Sequence, residues 1–490
     1  MLRARATNHF PLLQPAVAWL PILGFIALSV ACLVANLGTV LNLVFPAGAF
    51  LIAIFLYWRY PLMYVSFVWW IWFLSAWVRR LADYYGADWT NPSPVLLAPL
   101  LVTLVSGLSF LKCLTKPSAG LPFLLCAAGV AYSAFVGLVL NSPQAAIVDL
   151  LGWMPPIFFG FFLFSQWRDY PLYRKTTQRT FFWGLVVMGG YGIVQYLVAP
   201  AWDQHWMTNT LIYENFMTVG DPEPLKIRVF STLNAPQSFG SIMMAGLLLV
   251  LTMSGSRQLF GGSLGAIATL LSLARSAWLS LIAALLVFVP SIKQSFQIRL
   301  MASLLVLLLA LVPVVQMEPF ASAILPRIQG LTNTSDDISA RERTEGYQRL
   351  LGQAFSSVAG RGMGFVVEDD SIGSRDSGVL SLWFNLGWLG ALPYLVGVGL
   401  LFYSLFTTVA SRFDLFASAA RAIAAGTFAQ VGFNVITTGQ FGAVLWAFLG
   451  LGLAARQYYT ATRQQNSLQD LNPQVLNSQV LNSDFQAFNS

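Results

Sequence analysis

The stretch AVAWLPILGFIALSVACLVA, residues 16–35, carries no charged side chain. A helix needs about 20 mostly apolar residues to cross the hydrocarbon core of a bilayer, and this stretch is long enough. Similar stretches recur along the chain near 38–57, 62–78, 94–111, 120–140, 146–166, 180–199, 236–254, 257–273, 276–290, 298–315, 389–410, 415–435 and 440–456. The sequence therefore predicts an all-α fold, a polytopic transmembrane helical bundle of about 12–14 spans.

The composition also favours a bilayer environment. Hydrophobic residues make up 57% of the chain and charged residues 10%, whereas about a quarter of a soluble domain is charged. The net charge of +7 is spread through short loops, which is typical of membrane topology and argues against nucleic-acid binding. Only two histidines occur, and Cys32, Cys113 and Cys126 show no C-x-x-C spacing. We therefore expect no metal site and no cofactor.

Lysine and arginine between alternate spans indicate the orientation. These basic residues are Arg59, Lys112, Lys116, Arg168, Arg174, Lys175, Arg179, Arg257, Lys293, Arg299 and Arg412. Cytoplasmic loops carry an excess of such residues. We therefore expect a multi-pass protein of the plasma (inner) membrane with both termini in the cytoplasm.

This orientation divides the chain into six regions. They are the N-terminal transmembrane helices (1–199), a first outer loop (200–235), central transmembrane helices (236–315), a second outer loop (316–378), C-terminal transmembrane helices (379–456) and a disordered cytoplasmic tail (457–490). In the second outer loop, apolar residues recur at steps of three and four over 347–358, which predicts an amphipathic helix. This helix either lies on the outer membrane face or serves as a simple lid.

Arginines on the outer side are informative because topology does not require them. Six of them are Arg79, Arg80, Arg228, Arg275, Arg343 and Arg361. The planar guanidinium donates several hydrogen bonds and keeps its charge, which suits it to binding a diphosphate. The alternative is a side chain that reaches lipid headgroups or pairs with a carboxylate. We favour that alternative for Arg79 and Arg80, which have Asp83 nearby, and favour a binding role for Arg228 and Arg275.

Four segments between residues 228 and 390 carry a recognisable pattern. They are Arg228 to Asn234-Ala235-Pro236; Ala274-Arg275-Ser276; Arg343 with Tyr347, Gly360, Gly362 and Gly364; and Asp376-Ser377-Gly378 followed by Asn385 to Gly390. In order and spacing they resemble the O-antigen ligase and O-antigen polymerase superfamily of polytopic membrane glycosyltransferases. The resemblance covers about residues 228–456. It departs from the family at Asp376, Ser377 and Asn385, which replace a histidine, an asparagine and a glutamate.

The resemblance implies a glycosyltransferase that uses polyprenyl-diphosphate-linked glycan on the outer side of the membrane. Arg228, Arg275 and Arg343 would then bind the diphosphate, and Asp376 with Arg275 would be catalytic. A carboxylate can accept a hydroxyl proton in place of the family's histidine. The departures favour a polymerase-like or divergent member over a ligase, and they leave open a member that has lost catalysis. Further candidate site residues are Arg361, Arg79, Arg80, Glu368, Asp369 and Asp370.

Two other functions stay open at this stage. The first is a flippase for lipid-linked oligosaccharide, or another secondary transporter, which would suit the number of spans. The second is a non-catalytic scaffold of a polysaccharide export complex. The expected partners are the lipid-linked glycan, the bilayer and other polysaccharide assembly and export proteins, with no nucleic acid.

Overall fold

The computed structural model describes residues 15–86, 89–115, 117–214, 219–302, 350–366, 377–407 and 414–471, with residues 305 and 347. The helices are α1 Pro15–Val34, α2 Gly38–Arg59, α3 Pro61–Gly86, α4 Ala98–Leu104, α5 Gly107–Thr115, α6 Pro117–Leu140, α7 Pro143–Ser165, α8 Tyr170–Val198, α9 Ala201–Glu214, α10 Pro236–Leu251, α11 Ser256–Leu271, α12 Arg275–Phe288, α13 Gly378–Phe406, α14 Leu415–Phe428 and α15 Gly439–Leu471. No strand occurs within these ranges, and the all-α prediction is confirmed.

The helices are suited to a membrane by length and composition. In the described part of the chain, nine stretches are long and apolar enough to cross a bilayer, and α10, α12 and α14 are shorter apolar helices. One of the nine joins α4 and α5 to the 3-10 turn Pro94–Leu97. These stretches confirm a multi-pass helical bundle. The span expected near 298–315 lies mostly outside the described residues.

Contacts between helix termini assign the loops between helices to two opposite ends of the bundle. At one end, which we call the loop end, Gly38 of α2 lies against Gly86 of α3, and Gly378 N donates to Val431 O (3.0 Å). The loop end also holds the segments 219–235 and 357–366. At the opposite end, which we call the basic end, Arg174 pairs with Asp414 (3.2 Å). The sorting agrees with the predicted alternation of loops, and a cytoplasmic basic end stays a prediction.

The centre of the bundle is α15, whose residues 442–455 are all buried. A Cβ atom on Gly450 would lie 2.1 Å from the carbonyl oxygen of Gly160, so α15 and α7 are in backbone contact. Likewise, a Cβ atom on Gly129 of α6 would lie 2.3 Å from the carbonyl oxygen of Gly390 in α13. Small residues at such crossings allow membrane helices to approach closely. These two contacts fix how α6, α7, α13 and α15 meet below the loop end.

Helix α13 is interrupted close to its loop end. Gly387 has φ 58° and ψ −167°, a backbone conformation that side chains disfavour. Beyond it, the amide of Trp388 donates to Val358 O (2.9 Å) instead of to its own helix. The span expected from about residue 389 therefore begins earlier, at Gly378, and the break separates a short part at the loop end from the part that matches the prediction.

The predicted disordered tail over 457–490 is wrong for residues 457–471. Helix α15 continues to Leu471. Arginine and glutamine, which together make up six of the 16 residues 456–471, are good helix formers and extend the buried part of α15. Tyr459 also anchors this extension, because its hydroxyl donates to Asp414 Oδ2 (2.9 Å). Residues 472–490 fall outside the described ranges.

Candidate functional site

The predicted site residues fall into two sets. Arg343, Glu368, Asp369, Asp370 and Asp376 lie outside the residues that the structure describes, whereas Arg79, Arg80, Arg228, Arg275 and Arg361 lie at the loop end. The expected convergence of arginines beside Asp376 stays a prediction, because Asp376 and Arg343 lie outside the described residues. Ser377, which follows Asp376 in the sequence, is described and serves as a landmark.

Arg80 is fully buried in α3 and pairs with Asp203 of α9, with Nε and Oδ1 2.9 Å apart. Its two terminal nitrogens donate to the carbonyl oxygens of Ser231 and Leu233. The guanidinium also lies 4.8 Å from the centre of the Phe230 ring. Arg80 is thus paired with a carboxylate, and its role is to hold the segment 230–233 against α3.

Arg79, one position earlier, is buried as well. Its Nε lies 3.2 Å from Asp83 Oδ2, and its Nη2 donates to Thr90 O (3.1 Å). The guanidinium lies over the ring of Trp89 at 4.6 Å, a favourable cation–π distance. These contacts join the end of α3 to the following loop, so Arg79 also has a structural role.

Gln195 of α8 supports the same segment from below. Its Oε1 accepts hydrogen bonds from the amides of Phe230 (3.1 Å) and Ser231 (2.7 Å). Its Nε2 donates to Asp203 Oδ2 (2.8 Å), which completes the link to the buried ion pair. Ser231 has a φ of 53°, which is uncommon for a residue other than glycine. The buried amide of Gln195 therefore holds a strained turn of the first loop in place.

Above this support, Arg228 reaches across to the junction between α11 and α12. Its amide donates to Val219 O (2.9 Å), and its Nη2 donates to Leu273 O (3.3 Å). The next amide, that of Val229, donates to Leu271 O (3.0 Å). The backbone and the side chain of 228–229 are thus both joined to the junction. The Arg228 side chain is half-buried.

Arg275 begins α12 two residues after Leu273, to which Arg228 is bonded. Its side chain is half-buried. The first amides of a helix have no carbonyl partner within the helix, and the helix dipole makes this end positive. Two arginines and a helix N-terminus at one junction favour the binding of a phosphate group. The structure therefore places Arg228 and Arg275 at the same junction, and their joint binding of a diphosphate stays a prediction.

Ser377 lies in a polar contact at the start of α13. Its hydroxyl accepts a hydrogen bond from Leu380 N (3.1 Å) and lies 2.5 Å from the hydroxyl of Tyr347. The Tyr347 hydroxyl donates to Gly432 O (3.0 Å), so the serine hydroxyl donates to the tyrosine. Tyr347 belongs to the stretch expected to form an amphipathic helix, of which residues 350–356 are helical. That helix is joined to α13 through buried Leu350.

The Ser377 contact and Arg275 lie at the same end of two packed helices, α12 and α14. Helix α14 packs along α12, since a Cβ on Gly426 would lie 2.7 Å from Ser280 O. Arg275 precedes Ser280 toward the loop end of α12, and Gly432, the partner of Tyr347, follows α14 toward the same end. The two contacts therefore share the loop end of the α12–α14 pair.

Arg361 belongs to a different group of helices. It lies in the segment Gly360–Gly364, which crosses from α13 to α6 and α7. Its amide donates to Phe384 O (2.7 Å), and its carbonyl oxygen accepts from Asn141 Nδ2 (2.8 Å). Its side chain is exposed and lies 5.5 Å from the ring of Phe365. The structure therefore places Arg361 at the α6–α7–α13 corner and not at the α11–α12 junction.

Asp149, a lone carboxylate in α7, holds the end of that segment. Its Oδ2 accepts a hydrogen bond from Gly364 N (2.7 Å). Gly364 has a φ of 80°, and a Cβ on it would lie 2.7 Å from Ala146 N. The carboxylate therefore binds a backbone amide at a point where the chain passes against α7.

Two charged residues were missed by the sequence analysis. Arg421 is buried in α14, where its Nη2 donates to Ser418 Oγ (3.0 Å). Asp414 caps α14 through the amide of Phe416 (2.9 Å) and also accepts from Tyr170 (2.7 Å). A lone arginine in the apolar stretch LFASAARAIAAG was the available signal for Arg421. The cap had a local signal, an aspartate directly before that stretch, whereas the contact between Asp414 and Tyr170 had none because the two residues are distant in the sequence.

No protein-family model matches this chain, and no curated protein is similar to it in sequence.

Proposed function

We propose that this protein is a membrane glycosyltransferase that polymerises or ligates polyprenyl-diphosphate-linked glycan on the outer side of the plasma membrane, as in O-antigen or exopolysaccharide synthesis. The observation that supports the proposal most directly is the hydrogen bond from Arg228 to Leu273 O (3.3 Å). It brings one outer arginine to the junction at which Arg275 begins α12. Diphosphate recognition requires such a concentration of fixed positive charge.

The proposed reaction transfers a glycosyl group from the diphosphate to a sugar hydroxyl. The acceptor oxygen forms a bond to the anomeric carbon, and the bond between that carbon and the diphosphate oxygen breaks. Negative charge grows on the leaving diphosphate, where Arg228, Arg275 and the N-terminus of α12 stabilise it. The hydroxyl proton goes to a carboxylate, for which Asp376 is the first candidate. No G-x-x-x-x-G-K-[ST] loop occurs in the sequence, so the donor bond itself supplies the energy.

The transporter alternative has one observation in its favour, the interrupted helix α13. Broken helices in transporters expose backbone groups that bind substrate or ions. Here the carbonyl oxygens of Phe384 and Asn385, next to the break at Gly387, accept hydrogen bonds from the amides of Arg361 (2.7 Å) and Gly362 (3.2 Å). These groups are already bonded within the protein, so the break serves to pack the segment 358–362. This weighs against transport.

The direct test is glycan extension by the purified protein in vesicles that contain lipid-linked donor. Loss of one preorganised donor at developing charge lowers a rate by about 10²–10³. We expect that loss for Arg275→Ala and a comparable loss for Arg228→Ala. Arg257→Ala, which removes an exposed arginine at the basic end, is the matched control and should retain full activity. Undiminished extension by both loop-end variants would remove the arginines from the site.

A deletion strain separates the remaining alternatives. Single lipid-linked repeat units on the outer side would indicate a polymerase, and long unattached chains a ligase. Donor trapped in the cytoplasmic leaflet would indicate a flippase. A scaffold is indicated if alanine at Arg228, Arg275 and Asp376 is harmless in cells while truncation abolishes glycan synthesis.

A further inference from the structure

A cavity of about 540 Å³ opens at the basic end, far from the arginines considered above. It lies between α6, the end of α7, the last turns of α13 and the polar extension of α15. Its lining residues are Pro122, Phe123, Phe164, Trp167, Leu401, Ser404, Leu453, Arg456, Gln457, Thr460, Ala461 and Gln464. The volume falls within the range of small-molecule sites, about 300–1,000 Å³.

The lining changes from apolar to polar along α15. Leu453 faces the cavity together with Phe123, Phe164 and Leu401, and these side chains form an apolar floor. One turn further on, Arg456 and Gln457 begin the polar part, which continues to Gln464. This change follows Ala455, the last residue of the continuously buried stretch 442–455 of α15. The cavity thus has an apolar floor and a polar mouth.

The polar part carries positive charge. Arg456 is half-buried, and its Nη1 donates to Ser404 O (3.0 Å), which holds the guanidinium against the end of α13. Trp167, another lining residue, carries the guanidinium of Arg168 over its ring at 4.5 Å. No acidic residue lines the cavity. Its mouth therefore complements an anion, and its floor complements an alkyl chain.

We propose that this cavity binds an anionic phospholipid of the leaflet at the basic end. The lipid phosphate lies against Arg456, and one acyl chain lies on the floor formed by Phe123, Phe164 and Leu401. Basic pockets between membrane helices recognise phospholipid headgroups in this manner. An arginine suits this role because its guanidinium can bond Ser404 O and a phosphate oxygen at once. The bound lipid would join α15 to α6 and α13.

The test uses the full chain in nanodiscs of phosphatidylcholine, either alone or mixed with phosphatidylglycerol, with retained lipid counted by native mass spectrometry. One basic residue near a membrane surface contributes about 1 kcal/mol of attraction, so Arg456→Gln should weaken phosphatidylglycerol retention about fivefold. Arg463→Gln is the charge-matched control, because Arg463 is exposed on the same helix and does not line the cavity. It should retain the lipid as the parent protein does.

Two further measurements keep the proposal open to refutation. Ala461→Trp fills the polar part of the cavity without a change of charge and should also reduce retention. If Arg456→Gln fails to fold, Arg456→Lys should retain the lipid and Ala461→Trp should still lose it. Equal retention by the parent protein, Arg456→Gln and Ala461→Trp overturns the proposal. The proposal is also overturned if inorganic phosphate stabilises the detergent-solubilised protein as much as phosphatidylglycerol does. That result would indicate a site for a free anion.

Discussion

Arg80 and Asp203 form an ion pair in which both side chains are fully buried and Nε lies 2.9 Å from Oδ1. The pair joins α3 to α9, and the remaining guanidinium nitrogens hold the carbonyl oxygens of Ser231 and Leu233. Arg228 is only three residues before Ser231, so its position at the α11–α12 junction depends on this buried contact. The residues that hold the candidate site in position are thus different from those that would contact substrate.

We expect Asp203→Asn to lower the free energy of unfolding by about 3–5 kcal/mol, because it leaves the Arg80 charge buried without its counter-ion. Thermal unfolding of the purified protein measures the effect. Glu223→Gln is the control. Glu223 Oε2 lies 2.7 Å from Lys226 Nζ at the surface, and its hydrogen bond raises the pKa of Lys226 above its ordinary value. Exposed pairs of this kind contribute little to stability, because water screens both charges. Equal effects of the two variants would contradict the assigned role of Asp203.

Gly362→Ala should be severely destabilising, by about 3 kcal/mol or more. The added Cβ would lie 2.3 Å from Gly137 N, and the φ of 76° disfavours any side chain. The yield of folded protein on size-exclusion chromatography and the unfolding temperature report the effect. Gly352→Ala provides the comparison, since a Cβ there meets no atom within 4 Å. Tolerance of Gly362→Ala would show that the segment 360–364 does not pass against α6 as described.

Asp149→Ala should destabilise the protein by about 1–3 kcal/mol, because the amide of Gly364 loses its acceptor. Asp149→Asn retains an acceptor oxygen and should cost less. Both variants should keep the parent's dependence of activity on pH if the carboxylate only holds the backbone. A shifted pH profile in Asp149→Asn, without loss of stability, would instead indicate a proton-transfer role.

Asp414→Ala should loosen the basic end. It removes the cap of α14, a contribution of about 1 kcal/mol, and the acceptor for the Tyr170 hydroxyl. Hydrogen–deuterium exchange at the amides of residues 416–418 should become faster, while exchange at the loop end stays unchanged. Thr462→Ala, which removes only an exposed hydroxyl bonded within its own helix, is the control and should leave this exchange as it is. Unchanged exchange at 416–418 in Asp414→Ala would argue against the cap.

The sequence predicted the helices well because crossing a bilayer imposes a length and an apolar composition on each segment. It failed where the signal was not local. The tail after residue 457 has a polar composition that favours disorder, yet α15 carries its helix on to Leu471 because Tyr459 is anchored to Asp414. The break in α13 was missed for a similar reason, since Gly387 needs the segment near Val358 to satisfy the next amide.

The sequence alone determined that this is an all-α membrane protein and that arginines such as Arg228 and Arg275 need an explanation, because composition and local charge decide both points. Only the tertiary structure decided which arginines lie at the same helix junction. It paired Arg80 with Asp203, brought Arg228 to Leu273 beside Arg275, and set Arg361 apart. These pairings join residues far apart in the chain, and they depend on how the helices pack, which no short stretch of sequence encodes.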